Sequence, residues 1–165
     1  MNLIEIAPLE KWIELEKDIY QRSGLDVNVF DIQGHRISDF KNWANRLCPE
    51  IKAVDKGQSF ICAPAHMNIA IQAMRSKQPA IEECDAGLLK MVVPIFIEEE
   101  FIGAVGACGL LLDDGAVDSF LVNKITGIDE DRVVDLSRGI PSITTQKAKA
   151  LSNYITERLS RIVPA

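Results

Sequence analysis

The sequence predicts an α+β fold in which helices flank a central antiparallel sheet. Apolar side chains recur at helical spacing near both ends of the chain, and strand-like apolar runs joined by a polar turn lie between them. The 165 residues are enough for one domain with its own core, and they contain no repeat, linker or low-complexity tract. We therefore expect a single domain over 1–165, with an N-terminal helix at 8–23, a core at 25–112 and a C-terminal helical part at 116–163.

The N-terminal part predicts a helix followed by a hairpin. Apolar residues follow helical spacing between Pro8 and Gly24, and a glycine commonly ends a helix. In the stretch "LDVNVFDIQGHRIS", apolar side chains alternate with others from Leu25 onward, and Gln33-Gly34 supplies a tight turn. This pattern is typical of a hairpin.

The next segment predicts two helices separated by a turn. The stretch "KNWANRLCPEI" favours a short helix that ends near Pro49, because the residue before a proline resists helical geometry. Residues 55–57, "DKG", indicate a turn, and helical spacing from Pro64 onward predicts a second helix. Cys62 would then precede a helix N-terminus, where the partial positive charge favours a thiolate.

Three strands are predicted after Pro79. They are "AIEECDAG", "LKMVVPIFI" and "EFIGAVGACGLLL", and the polar turn at 98–100 joins the last two. Such apolar runs fit a sheet that is covered on both faces. Gly103, Gly106 and Gly109 recur in the third strand, which indicates either a bulge, a close approach by another group, or tight packing against a helix.

The C-terminal third predicts helices. Gly127 closes a first short helix, Asp129 caps a second, and the longest apolar stripe follows Pro141. The last helix either packs on the sheet or continues as a coupling helix in a longer parent protein.

Composition and motifs argue against several classes of function. A formal net charge of −6 argues against a general nucleic-acid surface, which needs clustered basic residues. The start "MNLIEIAPLEKW" is not typical of a signal peptide, and the apolar run "MVVPIFI" is too short to span a bilayer. The chain has no GxSxG, HExxH, phosphate-binding loop or GxGxxG motif. We therefore expect a cytoplasmic protein that is not an enzyme and that contacts neither nucleic acid nor membrane directly.

The predicted order of elements is typical of PAS-like and GAF-like sensor domains, and specific motifs carry the resemblance further. The chain resembles the PocR-type ligand-binding sensory domain over roughly residues 10–160. The matching features fall in order: "SGLDVNVFDIQG" at 23–34, Cys48 with a later isoleucine and Gly57, Cys62, "CDAGL" at 84–88, "VPI" at 93–95, "IGAVGACG" at 102–109, "ITGIDEDRV" and "ALSNYI".

The resemblance implies a PAS-like fold that senses a small molecule, often a simple hydrocarbon derivative. It also implies an output domain or partner protein of the kinase, cyclase or DNA-binding regulator type. A homodimer through the helical flanks is a further hypothesis. Two departures affect the ligand. Asp85 stands where the family commonly has histidine, and Cys108-Gly109 stands where it often has a Gly-Gln pair. A ligand inferred for relatives therefore does not transfer directly to this chain.

The four cysteines support two hypotheses. Cys48, Cys62, Cys84 and Cys108 form no CxxC motif, and we expect them to be reduced. They either converge on zinc or an iron–sulfur cluster, which soft thiolates suit, or pack as small buried residues. The first hypothesis predicts a redox, gas or metal sensor instead of a sensor of organic molecules. His66, four residues after Cys62, either joins it as a ligand pair or faces solvent.

The candidate ligand-binding residues form a small set. A cavity between sheet and helices would be lined by thiols and by large apolar side chains, although core packing is the default for the latter. Asp85 accepts a hydrogen bond either from a ligand or from backbone amides in its own turn. The candidates are Cys84, Asp85, Trp43, Phe40, Met91 and Cys108.

Overall fold

A computed structural model describes all 165 residues, and its centre is a four-stranded antiparallel sheet with the strand order β1-β4-β3-β2. Two short strands, β5 and β6, form a separate parallel sheet. The bounds are β1 Asp26–Asp31, β2 Ala80–Glu83, β3 Leu89–Ile97, β4 Glu100–Cys108, β5 Leu111–Leu112 and β6 Ser142–Ile143. The predicted α+β fold with a central antiparallel sheet is confirmed.

Helices precede, interrupt and follow the sheet. The bounds are α1 Leu3–Ile6, α2 Leu9–Ser23, α3 Leu47–Ala53, α4 Asp55–Gly57, α5 Ala63–Ser76, α6 Ser119–Thr126, α7 Glu130–Ser137 and α8 Thr145–Ile162. Gly24 ends α2 and Gly127 ends α6, both in the left-handed conformation that glycine adopts without strain. None of the helices combines the length and hydropathy that a membrane span requires. The assignment of the whole chain to one domain stays a prediction.

The hairpin after α2 is present but its second arm is short. One bridge, between Phe30 and Arg36, pairs it with β1. Backbone hydrogen bonds also join the arms, from the Ile37 amide to the Val29 carbonyl at 3.1 Å and from the Asp31 amide to the His35 carbonyl at 2.8 Å. The loop between the two arms carries Gly34 at a φ of 84°.

The predicted end of a helix near Pro49 is wrong, because α3 begins there. The Asn45 carboxamide accepts hydrogen bonds from the amides of Leu47 and Cys48 at 2.8 and 2.7 Å. It thus satisfies two of the free donors at the start of the helix. Pro49 lies in the first turn, where its missing amide costs no intrahelical bond.

The predicted turn at 55–57 is also wrong. The helical segment α4 continues through a π-helical turn, Gln58–Cys62, into α5. Gly57 is helical, and a Cβ there would lie 2.1 Å from the Ile51 carbonyl oxygen, so the glycine serves a close approach and not a turn. Cys62 is therefore inside a continuous helix and not ahead of a helix N-terminus.

The sheet has two unlike faces, which we call the core face and the cleft face. On the core face, alternate residues of β3 (Leu89, Met91 and Val93) pack with α2 and α8 in the largest hydrophobic cluster. On the cleft face, the part of the sheet around Val92 is apolar and packs against α5. The part around Lys90, which we call the near end, carries polar side chains.

Candidate functional site

The near end of the cleft face forms the floor of a cleft of about 610 Å³. Its walls are α3, the π-helical turn and the start of α5, and its rim is formed by the loops that follow β1 and β2. A π-helical turn inserts an extra residue in a helix, and such turns occur frequently at functional sites. Here the turn supplies Gln58 and Cys62 to the cleft wall.

Strand register brings polar side chains of three strands together on the floor. Asp26 pairs with Cys108, which in turn pairs with Lys90, so the three lie in one row across β1, β4 and β3. Side chains in register on neighbouring strands point to the same face. Asp26 and Lys90 are both buried. Gly106 leaves room beside this row, because a Cβ there would lie 2.9 Å from the Lys90 Nζ atom.

All four cysteines line this cleft, although they come from distant parts of the chain. Cys48 comes from α3, Cys62 from the π-helical turn, Cys84 from the loop after β2 and Cys108 from β4. Each is partly buried and none forms a disulfide.

Burial favours the protonated form of three of the thiols. Burial raises the pKa of Cys48 and of Cys62, and it raises the pKa of Cys84 to about 11. The expectation of a thiolate at Cys62 is therefore wrong, because the effect of desolvation on its pKa outweighs that of the positive charge of Lys52. No group of three or more His, Cys, Asp or Glu residues is arranged to hold a metal ion. The hypothesis of a zinc or iron–sulfur centre has no support in this arrangement.

His66 is part of the cleft wall and does not face solvent as we expected. It is only 6% exposed, and its ring stacks on Phe30 with centroids 3.8 Å apart. Burial, followed by the charges of Lys90, Lys52 and Arg36, lowers the pKa of His66 to about 3. The imidazole is therefore neutral at physiological pH, and its buried Nδ1 atom has no hydrogen-bond partner.

The charges that line the cleft are mostly positive. Arg36, Lys52 and Lys90 line it, and none of them forms a salt bridge. Asp26 is the one carboxylate among the lining residues, and Lys41 pairs with its Oδ2 atom at 2.9 Å. The buried Oδ1 atom of Asp26 has no partner.

Four of the predicted ligand-binding residues lie outside the cleft, in contrast to Cys84 and Cys108. Met91 is fully buried in the hydrophobic cluster of the core face. Asp85 is exposed in the turn after β2, and Trp43 is 40% exposed, with Lys41 4.0 Å from its ring centroid. Phe40 is half-buried against Tyr20 of α2.

Sequence reasoning missed the charged floor of the cleft. The signal was present in the alternation of "LDVNVF", where the polar residues Asp26 and Asn28 lie between apolar ones. A lysine inside the apolar run "LLKMVV" was a second signal. Period-2 patterning assigns both sets to one sheet face.

Comparison with known proteins identifies relatives. A protein family described as "Sensory domain found in PocR" matches residues 5–163. The chain is 27% identical over 164 residues to the protein named "Regulatory protein PocR" of Salmonella typhimurium strain LT2. This similarity covers 91% of the chain and 52% of the relative, so the chain spans about half the length of the curated protein it matches.

Proposed function

The chain belongs to the PocR sensory-domain family, and we propose that it binds a small organic molecule in the cleft and relays occupancy to an output domain or partner protein. The observation that carries the proposal is the cleft of about 610 Å³, which has one buried, unpaired polar atom on its floor and another in its wall. Small-molecule sites are concave, largely apolar and contain a few polar groups that orient the ligand.

The unpaired atoms favour a binding site over a packing defect. Buried polar groups without partners cost free energy, and most native proteins contain few of them. In this chain the buried side-chain atoms without a hydrogen bond are Asp26 Oδ1 and His66 Nδ1, and both residues line the cleft. A ligand or ordered water that pairs with the floor would recover part of that free energy.

Two connections favour a relay from the cleft to the C-terminal helices. Strand β3 contacts α5 on the cleft face and α8 on the core face, so a displacement of β3 reaches α8 directly. Helix α3 is tied to α7, because Arg132 pairs with Glu50 at 2.7 Å and Arg46 donates a hydrogen bond to the Asp135 carbonyl at 2.9 Å. A ligand shifts such an arrangement only by its differential affinity for two states.

Ligand-induced thermal stabilisation tests this function. We expect at least one small organic molecule from a chemically diverse panel to raise the Tm, because a ligand that binds only the folded state stabilises it by mass action. The variant Ala65→Trp places an indole in the cleft wall and should abolish the response. Asn68→Trp, on the exposed side of the same helix, is the matched control and should respond like the wild type.

The proposal fails under either of two results. In the first, no member of the panel raises the Tm of the wild type. In the second, a ligand stabilises Ala65→Trp as much as it stabilises Asn68→Trp, which would locate binding away from the cleft.

A further inference from the structure

The charges of the cleft narrow the class of ligand. We propose that the ligand carries an anionic group, a carboxylate or a phosphate, which Lys90 binds on the floor while Lys52 and Arg36 approach it from the wall and rim. The inference rests on the proposed function and specifies the chemistry of the same site.

Lys90 is the central observation. It is 8% exposed and lines the cleft, yet it has neither a salt bridge nor a hydrogen bond in the structure. Its nearest defined partner is the Phe30 ring, whose centroid lies 5.1 Å from Nζ. Its side-chain stem is buried in the floor, and its ammonium has no counterion within the chain. A cation in a cleft without a counterion attracts a ligand of the opposite charge. An anionic group of a ligand is therefore the partner that this ammonium lacks.

Neither of the carboxylates in register with Lys90 serves as that group. Asp26, in the same row of the floor, is bound to Lys41 through Oδ2, and its Oδ1 atom has no partner. Glu82 pairs in register with Lys90 on β2, but its carboxylate accepts a hydrogen bond from Gln72 at 3.3 Å and is exposed. Neither forms an ion pair with Lys90.

Two further cations add to the positive electrostatic potential of the cleft. Lys52 on α3 and Arg36 after β1 line the cleft without acidic partners, in a chain whose formal net charge is −6. A cleft lined by one sign of charge focuses the potential and attracts ligands of the opposite sign. Neutral His66 and Phe30 provide an apolar surface beside these cations for the carbon part of the ligand.

Matched probes test the charge of the ligand at constant ionic strength. The panel contains the straight-chain carboxylates from acetate to hexanoate, the alkyl phosphates of the same chain lengths, and the corresponding amides and alcohols. We expect at least one carboxylate or phosphate to raise the Tm, and the amide and alcohol of the same chain length to raise it far less. The carboxylate and phosphate arms distinguish the two sources of negative charge.

Lysine variants locate the effect. Lys90→Met keeps most of the side-chain length and removes the charge, so the Kd for the best anion should rise at least tenfold. The Tm of the unliganded Lys90→Met protein, measured in the same experiment, separates a loss of anion binding from a loss of the fold. Lys149→Met, at an exposed position on α8, is the control and should change neither quantity.

The outcomes separate this inference from the proposed function. Amides or alcohols that bind as tightly as the matched anions, with a response that Ala65→Trp abolishes, would overturn the inference and leave the sensing function intact. An unchanged anion Kd in Lys90→Met would also overturn it. Absence of any stabilisation by all four classes of probe, and by a wider panel, would overturn both.

Discussion

The two faces of the sheet differ in what their side chains do. On the core face, β1, β3 and β4 present apolar side chains that interlock with α2 and α8, and almost every polar atom there has a partner. On the cleft face the same three strands present Asp26, Lys90 and Cys108, beside a cavity. The faces share one backbone, so the period-2 alternation of side chains separates the apolar core face from the polar cleft face.

The contrast extends to one buried titratable group on each side. Glu16 on α2 is fully buried, and it accepts hydrogen bonds from the Val29 amide at 2.8 Å and from the Ser38 hydroxyl at 2.6 Å. His66 in the cleft wall is buried with an unpaired Nδ1 atom. The buried carboxylate on the core side thus has hydrogen-bond partners within the chain, whereas the buried imidazole in the cleft has a ring nitrogen without one.

The largest expected effect compares the two tryptophans of the chain. Trp12 is fully buried and donates a hydrogen bond from Nε1 to the Leu3 carbonyl at 3.0 Å, whereas Trp43 is 40% exposed. We expect Trp12→Ala to lower the free energy of unfolding by about 3–5 kcal/mol. Trp43→Ala should lower it by less than about 1 kcal/mol, the size of an exposed cation–π contact. Urea denaturation followed by circular dichroism measures both, and equal losses would contradict the difference in burial between the two residues.

The second prediction concerns acid stability at His66. Its pKa falls to about 3 in the folded state from an ordinary value of 6.5, so the unfolded state binds the proton more readily. This contribution to stability is present above pH 6.5 and is lost as the pH falls from 6.5 towards 3, by about 1.4 kcal/mol per pH unit. His66→Phe should therefore lose less stability on acidification than the wild type in urea denaturation at stepped pH. His35→Phe, at an exposed position, is the control, and an unchanged slope in His66→Phe would contradict a neutral buried imidazole.

A third prediction concerns Glu16 and has the opposite sign. Burial raises the pKa of Glu16 above its ordinary value of 4.5, despite the hydrogen bonds from Ser38 and Val29. Its contribution to stability is fully present below pH 4.5 and is lost as the pH rises through the folded-state pKa. Glu16→Gln should remove that loss, so its free energy of unfolding should fall less than that of the wild type between acidic and neutral pH. Glu10→Gln, exposed on the same helix, is the control, and a wild-type pH profile in Glu16→Gln would contradict the assignment.

The core face was easier to predict from the sequence than the cleft. Helical spacing predicted α2 and α8, and the apolar runs predicted β3 and β4. Burial of an element against a neighbouring layer requires apolar residues at regular spacing, so these elements can be read from the local sequence. The helix after Trp43 was placed too early, because Pro49 fits the first turn of a helix as well as the residue after its end. Gly57 was assigned to a turn because its close contact with the Ile51 carbonyl involves backbone that the local sequence does not specify.

The cleft depends on contacts between distant segments, which local patterns do not encode. Cys84 and Cys108 both line the cleft, whereas Met91 is on the opposite face of β3 from Lys90. Strict alternation along β3 would have separated these two residues. The burial of His66 follows from its stacking on Phe30, which is far from it in sequence.

The smallest expected effect concerns the cysteines, and it bears on the chemistry of the cleft. Because the Cys84 thiol is protonated and packs against a hydrophobic cluster, Cys84→Ser should lower the free energy of unfolding by about 1 kcal/mol, as for an ordinary single substitution. The same change at Cys48, Cys62 and Cys108 should give small losses that differ from site to site, and the metal content of anaerobically purified protein should not change. A shared metal centre would instead make the four losses large and similar, because each thiolate would support the same bound ion, and each variant would lose the same amount of iron or zinc. Unfolding curves and elemental analysis of the four variants therefore distinguish a cleft of independent thiols, suited to an organic ligand, from a metal site.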